Sequence, residues 1–296
     1  MTDSIELVVA DLDGTLLDQK HEITERAAQA IKALREQNIK FMLATGKSRS
    51  SALKIIEQLE LDTPGVFVQG LVLQNADGSI RTQITLEPAI ARQAITFAED
   101  RGFSVVAYSG TTTYVRKRTH DTNLIVEYGE PESEVVGPLQ NLLGSTPINK
   151  LAFIDRDDPR RVKALRWQLN MQFNGAATLV QPAVAQMLEL LPKGTSKGAG
   201  LKTLLKDMGI DPKNVMAVGD GENDIEMLQL AGIGVAVANA DEHVRKAANH
   251  VTTASYGDGL AEAIERFALK PKPADDALDA VTLLEETTLE SENEQP

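Results

Sequence analysis

Short runs of apolar residues, many of them β-branched, recur along the chain and predict strands that are buried on both faces. The clearest runs are residues 5–10, 39–44, 215–219 and 233–237. Between such runs, apolar residues return every three or four positions, as at Leu201, Leu204 and Leu205, which is typical of amphipathic helices. Because strands and helices alternate near both ends of the chain, the pattern predicts an α/β fold with a doubly wound, mainly parallel sheet.

The middle of the chain mixes strand-like and helical stretches, as an α+β unit does. The strand patterns are at residues 104–107, 113–116 and 151–154, and the helical ones at residues 89–100 and 160–173. Strand and helix units resume after this region. We therefore predict a discontinuous core, residues 1–82 and 188–269, with an α+β cap domain, residues 83–187, inserted into it.

Two local patterns add detail to this prediction. The segment Asn75-Ala76-Asp77-Gly78 separates two short apolar runs and predicts a hairpin turn just before the insertion. Trp167 shares a helical pattern with Leu169 and Phe173, so we expect its ring in the hydrophobic core.

Charge and composition exclude several classes of partner. The chain of 296 residues has 43 acidic and 30 basic residues, a net charge of −13, which disfavours nucleic acid and anionic membranes. No apolar run approaches the roughly 20 residues that cross a bilayer. Cysteine is absent and no signal pattern begins the sequence, so we expect a cytoplasmic protein. Residues 270–296 form an acidic tail that we expect to be largely disordered, with an interaction segment as the alternative.

Acidic residues follow two of the predicted strands. Asp11-Leu12-Asp13-Gly14-Thr15 follows the first strand, and Gly219-Asp220-Gly221-Glu222-Asn223-Asp224 follows the run at 215–219. Each motif alone could be a turn, since Asp and Gly are common turn formers. The carboxyl ends of parallel strands meet at one ligand-binding edge, however, and carboxylates gathered there repel one another unless a cation binds. The two motifs together therefore predict a Mg²⁺ site, because Mg²⁺ prefers oxygen ligands.

Cationic and hydroxyl groups are predicted at the same edge. Thr45-Gly46-Lys47-Ser48 follows the second strand, and Lys197 lies in the first turn of the helix that contains Leu201. A hydroxyl, backbone N–H groups and an ammonium at such positions suit a phosphate. For Lys197 the alternative is a solvated lysine. The segment is not a P-loop, because Phe41 stands where the motif requires glycine.

Taken in order, these motifs resemble those of the haloacid dehalogenase (HAD) superfamily, and within it the Cof-type (subfamily IIB) phosphatases. The resemblance covers about residues 5–268. It implies a Rossmann-like core with an inserted α+β cap and a magnesium-dependent phosphomonoester hydrolase acting on a small phosphorylated metabolite, such as a sugar phosphate. Two positions depart from the family pattern: Gln69-Gly70-Leu71 replaces a frequent Asn-Gly-Ala, and Lys47 stands where many relatives have arginine.

The resemblance also implies a role for each motif residue. Asp11 is the implied nucleophile that becomes an aspartyl-phosphate, and Asp13 the implied general acid/base. The implied Mg²⁺ ligands are Asp11, the backbone carbonyl of Asp13, Asp220 and Asp224, the last as a ligand or as support for one. The implied phosphate-binding residues are Thr45, Gly46, Lys197 and Asn223.

Two alternatives to a phosphatase stay open at this point. A sugar phosphomutase of the same superfamily uses the same aspartate but transfers phosphate within a sugar. A non-catalytic phospho-aspartate signalling or binding protein also combines a parallel sheet with an acidic pocket. The sequence predicts neither the natural substrate nor the oligomeric state.

Overall fold

The computed structural model of the chain describes residues 4–182 and 184–270. The predicted acidic tail, from residue 271 on, lies outside the described residues. The described residues form fourteen strands and nine α-helices. The strands are β1 (Leu7–Ala10), β2 (Lys40–Leu43), β3 (Gly65–Phe67), β4 (Val72–Gln74), β5 (Ile80–Gln83), β6 (Ser104–Ser109), β7 (Thr112–Val115), β8 (Glu134–Val135), β9 (Lys150–Ile154), β10 (Ala177–Val180), β11 (Met187–Pro192), β12 (Val215–Gly219), β13 (Ile233–Ala236) and β14 (His250–Val251). The α-helices are α1 (Glu25–Glu36), α2 (Arg49–Gln58), α3 (Pro88–Glu99), α4 (Asn123–Glu127), α5 (Pro159–Phe173), α6 (Lys197–Met208), α7 (Ile225–Leu230), α8 (Glu242–Ala247) and α9 (Tyr256–Ala263).

The first sheet has five strands in the order β14-β13-β12-β1-β2, and every pair in it is parallel. Strand β1, the fourth in this order, pairs with both an early and a late part of the chain. Leu7 is aligned with Lys40 on one side and with Val215 on the other. This confirms the predicted α/β fold with a mainly parallel sheet.

Helices cover both faces of this sheet, because successive side chains of a strand point to opposite sides. Val8 and Ala10 of β1 lie in one cluster of buried residues with α1, α2 and α9. Leu7 and Val9 lie in another with α6, α7 and α8. The stripe of Leu201, Leu204 and Leu205 is fully buried in this second layer, as the helical spacing predicts.

The second sheet has six strands in the order β10-β11-β9-β6-β7-β8 and is antiparallel except for the β7–β8 pair. Helices α3 and α5 pack on it through a third hydrophobic cluster. The predicted boundary between residues 187 and 188 falls inside β11, which pairs with β9 and β10 in this sheet. The division into core and cap stays a prediction.

A third sheet has three strands in the order β3-β4-β5. Strands β4 and β5 are antiparallel and joined by the turn at residues 75–78, where the Gly78 amide donates to the Asn75 carbonyl at 2.9 Å. Gly78 has φ +86°, a left-handed conformation that favours glycine. The structure thus has the hairpin turn that the sequence pattern indicates.

The prediction for Trp167 is wrong. Its side chain is 67% exposed, whereas α5 buries Leu165, Leu169 and Phe173. Two residues along an α-helix rotate the side chain by about 200°, so Trp167 lies opposite Leu165 and Leu169.

Across the described residues, no helix has both the length and the apolar character that crossing a membrane requires.

Candidate active site

Three neighbouring parallel strands bring the predicted motifs to one edge of the five-stranded sheet. Ala10, at the end of β1, is aligned with Leu43 of β2 and with Val218 of β12. The Asp11 amide continues the ladder by donating to the Val218 carbonyl at 3.0 Å. The loops that contain Asp11, Thr45 and Asp220 therefore lie side by side at the edge of the sheet, although Asp11 and Asp220 are far apart in the chain.

Three carboxylates of these loops form a compact cluster. Asp11, Asp220 and Asp224 each place an oxygen within 4.8 Å of the others. Asp224 is fully buried, and its Oδ2 accepts hydrogen bonds from the amides of Asp220 and Gly221 at 3.0 and 2.9 Å. Thr15 Oγ1 donates to Asp220 Oδ1 at 2.9 Å. The acidic residues are thus held in place by backbone and hydroxyl donors.

Gly14 makes the close approach of the two acidic motifs possible. Its φ of +83° is in the left-handed region, and a Cβ at this position would overlap the Asp220 carboxylate. The glycine of the first motif is therefore required both by the turn and by its neighbour.

Lys197 bridges two of the carboxylates. Its Nζ lies 2.7 Å from Asp11 Oδ1 and 2.7 Å from Asp224 Oδ1. The side chain is 1% exposed, so the alternative of a solvated lysine is wrong. Burial opposes its charge, but the two carboxylates outweigh burial and raise the pKa of Lys197 above its ordinary value. The ammonium is therefore a fixed positive charge in the cluster.

One lysine does not balance the negative charge that this cluster can carry. Burial, and then the nearby Asp224, raise the pKa of Asp11 well above its ordinary value. The same two causes raise the pKa of Asp220 to about 7. Burial and repulsion both disfavour ionised carboxylates, so this set of hard oxygen donors fits a divalent cation such as Mg²⁺.

The Asp13 carboxylate lies apart from that cluster. Its Oδ1 forms an ion pair with Lys47 Nζ at 2.8 Å and is 3.4 Å from His21 Nδ1. Lys47 is 6% exposed, and its ammonium also lies 4.6 Å from the centroid of the Tyr128 ring. The two aspartates of the first motif therefore have different partners: Asp11 contacts Lys197, and Asp13 contacts Lys47.

A cavity of about 420 Å³ opens onto both aspartates. The predicted site residues that line it are Asp11, Asp13, Thr45, Gly46, Lys197, Asp220 and Asn223. Asp224 contacts it indirectly, through Lys197. The structure therefore brings the predicted site residues together, while their individual roles stay predictions.

The opposite wall contains residues that sequence analysis did not single out as functional. Tyr108, Lys150 and Glu189 line the cavity from the six-stranded sheet. Lys150 and Glu189 are 1% and 3% exposed and form an ion pair. The available signal was a charged residue within a strongly apolar run, as at Glu189 between Leu188 and Leu190.

The comparison with known families agrees with this geometry. The sequence profile of the haloacid dehalogenase-like hydrolases matches residues 8–264. The chain belongs to this family. The hydrolase is 34% identical over 273 residues to the chloroplastic endoribonuclease YBEY of Arabidopsis thaliana, covering 88% of this chain and 46% of that protein. It therefore spans about half the length of the Arabidopsis relative.

Two further similarities cover nearly the whole of the other protein. The hydrolase is 29% identical to a phosphoglycolate phosphatase of Methanosarcina acetivorans, over 87% of this chain and 94% of that one. A crystal structure of a HAD/COF-like hydrolase from Plasmodium vivax matches with a TM-score of 0.81 and 25% identity, covering 89% of this chain and 95% of that one. The predicted family, fold class and assignment as a phosphatase enzyme are confirmed.

Proposed function

We propose that this hydrolase is a magnesium-dependent phosphomonoesterase that acts on a small phosphorylated metabolite through an aspartyl-phosphate intermediate. The observation that carries the proposal is the bridge from Lys197 to Asp11 and Asp224, beside Asp220 and at the floor of a 420 Å³ cavity. A relative that the similarity covers over 94% of its length and that is named a phosphatase supports it.

Asp11 and Asp13 divide the chemistry between them. One Asp11 oxygen attacks phosphorus while the bond from phosphorus to the leaving oxygen breaks, and Asp13 gives that oxygen a proton. Water then attacks the aspartyl-phosphate as Asp13 takes a proton from it, and this step releases phosphate and restores Asp11. A covalent intermediate splits one slow displacement into two easier ones.

The remaining site residues bind charge. Lys197, Thr45, Gly46 and Asn223 bind the oxygens of the transferring phosphoryl group in this proposal. Asp11, the carbonyl of Asp13, Asp220 and Asp224 would hold or support Mg²⁺, which when bound offsets the repulsion between an anionic nucleophile and an anionic ester.

Residues 83–187 are proposed to act as a cap over this edge. Their contribution to the cavity wall, including Tyr108, Tyr128 and Lys150, supports this part of the proposal. A cap in that place limits access of water to the intermediate and selects the leaving group.

The test is release of inorganic phosphate from p-nitrophenyl phosphate with and without Mg²⁺. Wild type is expected to be active only with Mg²⁺, and Asp11→Asn, which keeps the size of the side chain, to lose the activity. Asp100→Asn, an exposed aspartate after α3, is the matched control. Equal rates for wild type and Asp11→Asn would exclude the nucleophile.

The same assay separates the two alternatives. A phosphomutase moves phosphate between positions of a sugar phosphate and releases little of it. A phospho-aspartate binding protein stays phosphorylated and shows negligible turnover. Either result, in place of steady phosphate release, would overturn the phosphatase proposal.

A further inference from the structure

A strained turn lies next to the segment Thr45-Gly46-Lys47-Ser48, the predicted phosphate loop. Val68, Gln69 and Gly70 have φ values of +52°, +61° and +87°, so two non-glycine residues in succession are left-handed. This conformation is costly for a β-branched residue such as Val68 and persists only where surrounding contacts impose it. Here the Val68 amide donates to the Lys47 carbonyl at 2.9 Å, and the Gln69 amide to the Thr45 carbonyl at 3.2 Å. The turn is thus attached to the predicted phosphate loop.

The result of this turn is the position of the Gln69 side chain. Gln69 is 2% exposed, and its Oε1 accepts a hydrogen bond from Asn223 Nδ2 at 3.0 Å. Its Nε2 donates to Glu189 Oε2, on β11 of the other sheet, at 2.8 Å. One amide therefore connects a proposed phosphate ligand to the opposite wall of the cavity.

The connection continues from that wall back to the phosphate loop. Glu189 Oε1 forms the buried ion pair with Lys150 of β9. Lys150 Nζ donates to the Gly46 carbonyl at 2.8 Å and lies 4.2 Å from the centroid of the Tyr108 ring. The polar chain thus ends on the loop that contains Thr45, and it links that loop to Asn223 through Gln69.

Gly46 also makes room for Gln69. A Cβ at position 46 would overlap the Gln69 amide nitrogen. Both ends of the connection therefore depend on the backbone of the phosphate loop: its carbonyl accepts from Lys150, and its lack of a side chain admits Gln69.

The side chains that connect Asn223 to Gly46 form hydrogen bonds with one another. Both polar atoms of the Gln69 amide and both oxygens of Glu189 have partners within the protein. A substrate that displaced any of these partners would break a buried hydrogen bond. Gln69 also lines the cavity, and its two hydrogen bonds suit it to hold Asn223 in a fixed position relative to Glu189.

We propose that Gln69 is a positioning residue for phosphoryl transfer. It aims the Asn223 carboxamide at the transferring group and, through Glu189 and Lys150, keeps Asn223 in register with the loop of Thr45 and Gly46. The inference rests on the proposed phosphatase function of the same site.

The test is a double-mutant cycle on kcat and KM for p-nitrophenyl phosphate with Mg²⁺. Gln69→Met keeps the length of the side chain but removes both hydrogen bonds. It is expected to lower kcat/KM by about tenfold, mainly through kcat, because the effect is on orientation rather than on ground-state binding. In an Asn223→Ala background the same substitution is expected to have little further effect, since its target is gone.

A matched control separates positioning from general destabilisation. Gln83→Met removes a comparable amide hydrogen bond, from Gln83 Nε2 to Asn149 Oδ1 at 3.1 Å, away from the cavity. It is expected to keep wild-type kcat/KM. Thermal melting shows whether each variant is folded, and Gln69→Ala, which leaves room for water, replaces Gln69→Met if the latter does not fold.

Two outcomes would overturn the inference. One is a Gln69 variant within twofold of wild-type kcat/KM, and the other is an equal loss in the wild-type and Asn223→Ala backgrounds. Both require an active wild type whose activity depends on Asp11, so a failure here is distinct from a failure of the proposed function.

Discussion

The two walls of the cavity handle buried charge in different ways. On the five-stranded sheet, charged residues lie on loops after strands, and burial together with Asp224 raises the pKa of Asp11 and Asp220. On the six-stranded sheet, Lys150 and Glu189 lie within strands and neutralise each other. The carboxylate cluster of the first wall has charge left over for a cation and an ester, while the Lys150–Glu189 pair of the second wall has none. The comparison suggests that the first wall does the chemistry and the second fixes its geometry.

Removing Lys197 should have the largest effect, because its ammonium contacts both Asp11 and Asp224. Lys197→Met is expected to lower kcat/KM by about 10³-fold, since it removes the partner of two buried carboxylates and, in the proposed function, a contact with the phosphoryl group. The measurement is steady-state phosphate release. Lys202→Met, an exposed lysine on the same helix, is the control and should stay near wild type. Similar rates for the two variants would erase the distinction between the walls.

Breaking the ion pair between Lys150 and Glu189 should mainly lower the stability of the folded protein. Lys150→Met is expected to lower the free energy of unfolding by about 3 kcal/mol or more, because it leaves Glu189 buried without its cation. Adding Glu189→Gln removes the second charge and keeps an acceptor for Gln69, so part of the loss should return. Urea denaturation measures both effects. A double variant no more stable than the single one would contradict the assignment of the pair as mutually neutralising.

Mg²⁺ is expected to stabilise the folded protein through the wall of the five-stranded sheet, where the proposed ligands lie. Mg²⁺ at about 100 times its dissociation constant is expected to raise the free energy of unfolding by about 2.7 kcal/mol, because it binds the folded state. The gain should shrink in Asp220→Asn, whose metal-free form should be at least as stable as wild type since one repelling carboxylate is gone. Thermal melting with Mg²⁺ and with chelator tests this. An equal magnesium shift in both proteins would remove Asp220 from the proposed site.

The smallest predicted effect concerns Glu262, a carboxylate that lies in neither wall of the cavity. Burial raises the pKa of Glu262, but hydrogen bonds from the amides of Thr253 and Ala254 outweigh it and lower that pKa. Its stabilisation is therefore present above the ordinary pKa of 4.5 and is lost as the pH falls through the lowered value. Glu262→Gln should cost less than about 1 kcal/mol at pH 7, because the group is partly solvated.

The measurement for Glu262 is the difference in melting temperature between wild type and Glu262→Gln as a function of pH. The difference should shrink as the pH falls from 7 towards 3. A difference that is constant with pH would mean that the ionised carboxylate is not what stabilises this turn.

The same contrast explains what sequence analysis could and could not reach. The sequence predicts the places of Asp11, Asp13 and Asp220 because they lie at or just after the ends of apolar runs. Parallel pairing brings such positions to one edge of the sheet whatever their distance in sequence. The contact between Lys150 and Glu189 is not predicted in this way, because it depends on the antiparallel pairing of β9 with β11, which aligns Leu151 with Leu190. No local pattern determines that register.

Two other positions show the limits of local patterns. Gln69 was visible as a departure from the family motif, but its effect depends on a left-handed turn that a single sequence does not indicate. Trp167 was placed in the core because of its chemistry and nearby apolar residues, although the rotation of α5 turns it outward.

The alignment of Leu7 with Val215 has a consequence for synthesis of the protein on the ribosome. A nascent chain that has emerged only as far as β11 contains every strand of the six-stranded sheet, since these strands lie between residues 104 and 192. Strand β1 still lacks its neighbour β12 at that stage, and Asp11 still lacks its contacts with Lys197, Asp220 and Asp224. In the proposed function, phosphate turnover therefore requires that the chain has been translated beyond Asp224 and that β12 has paired with β1.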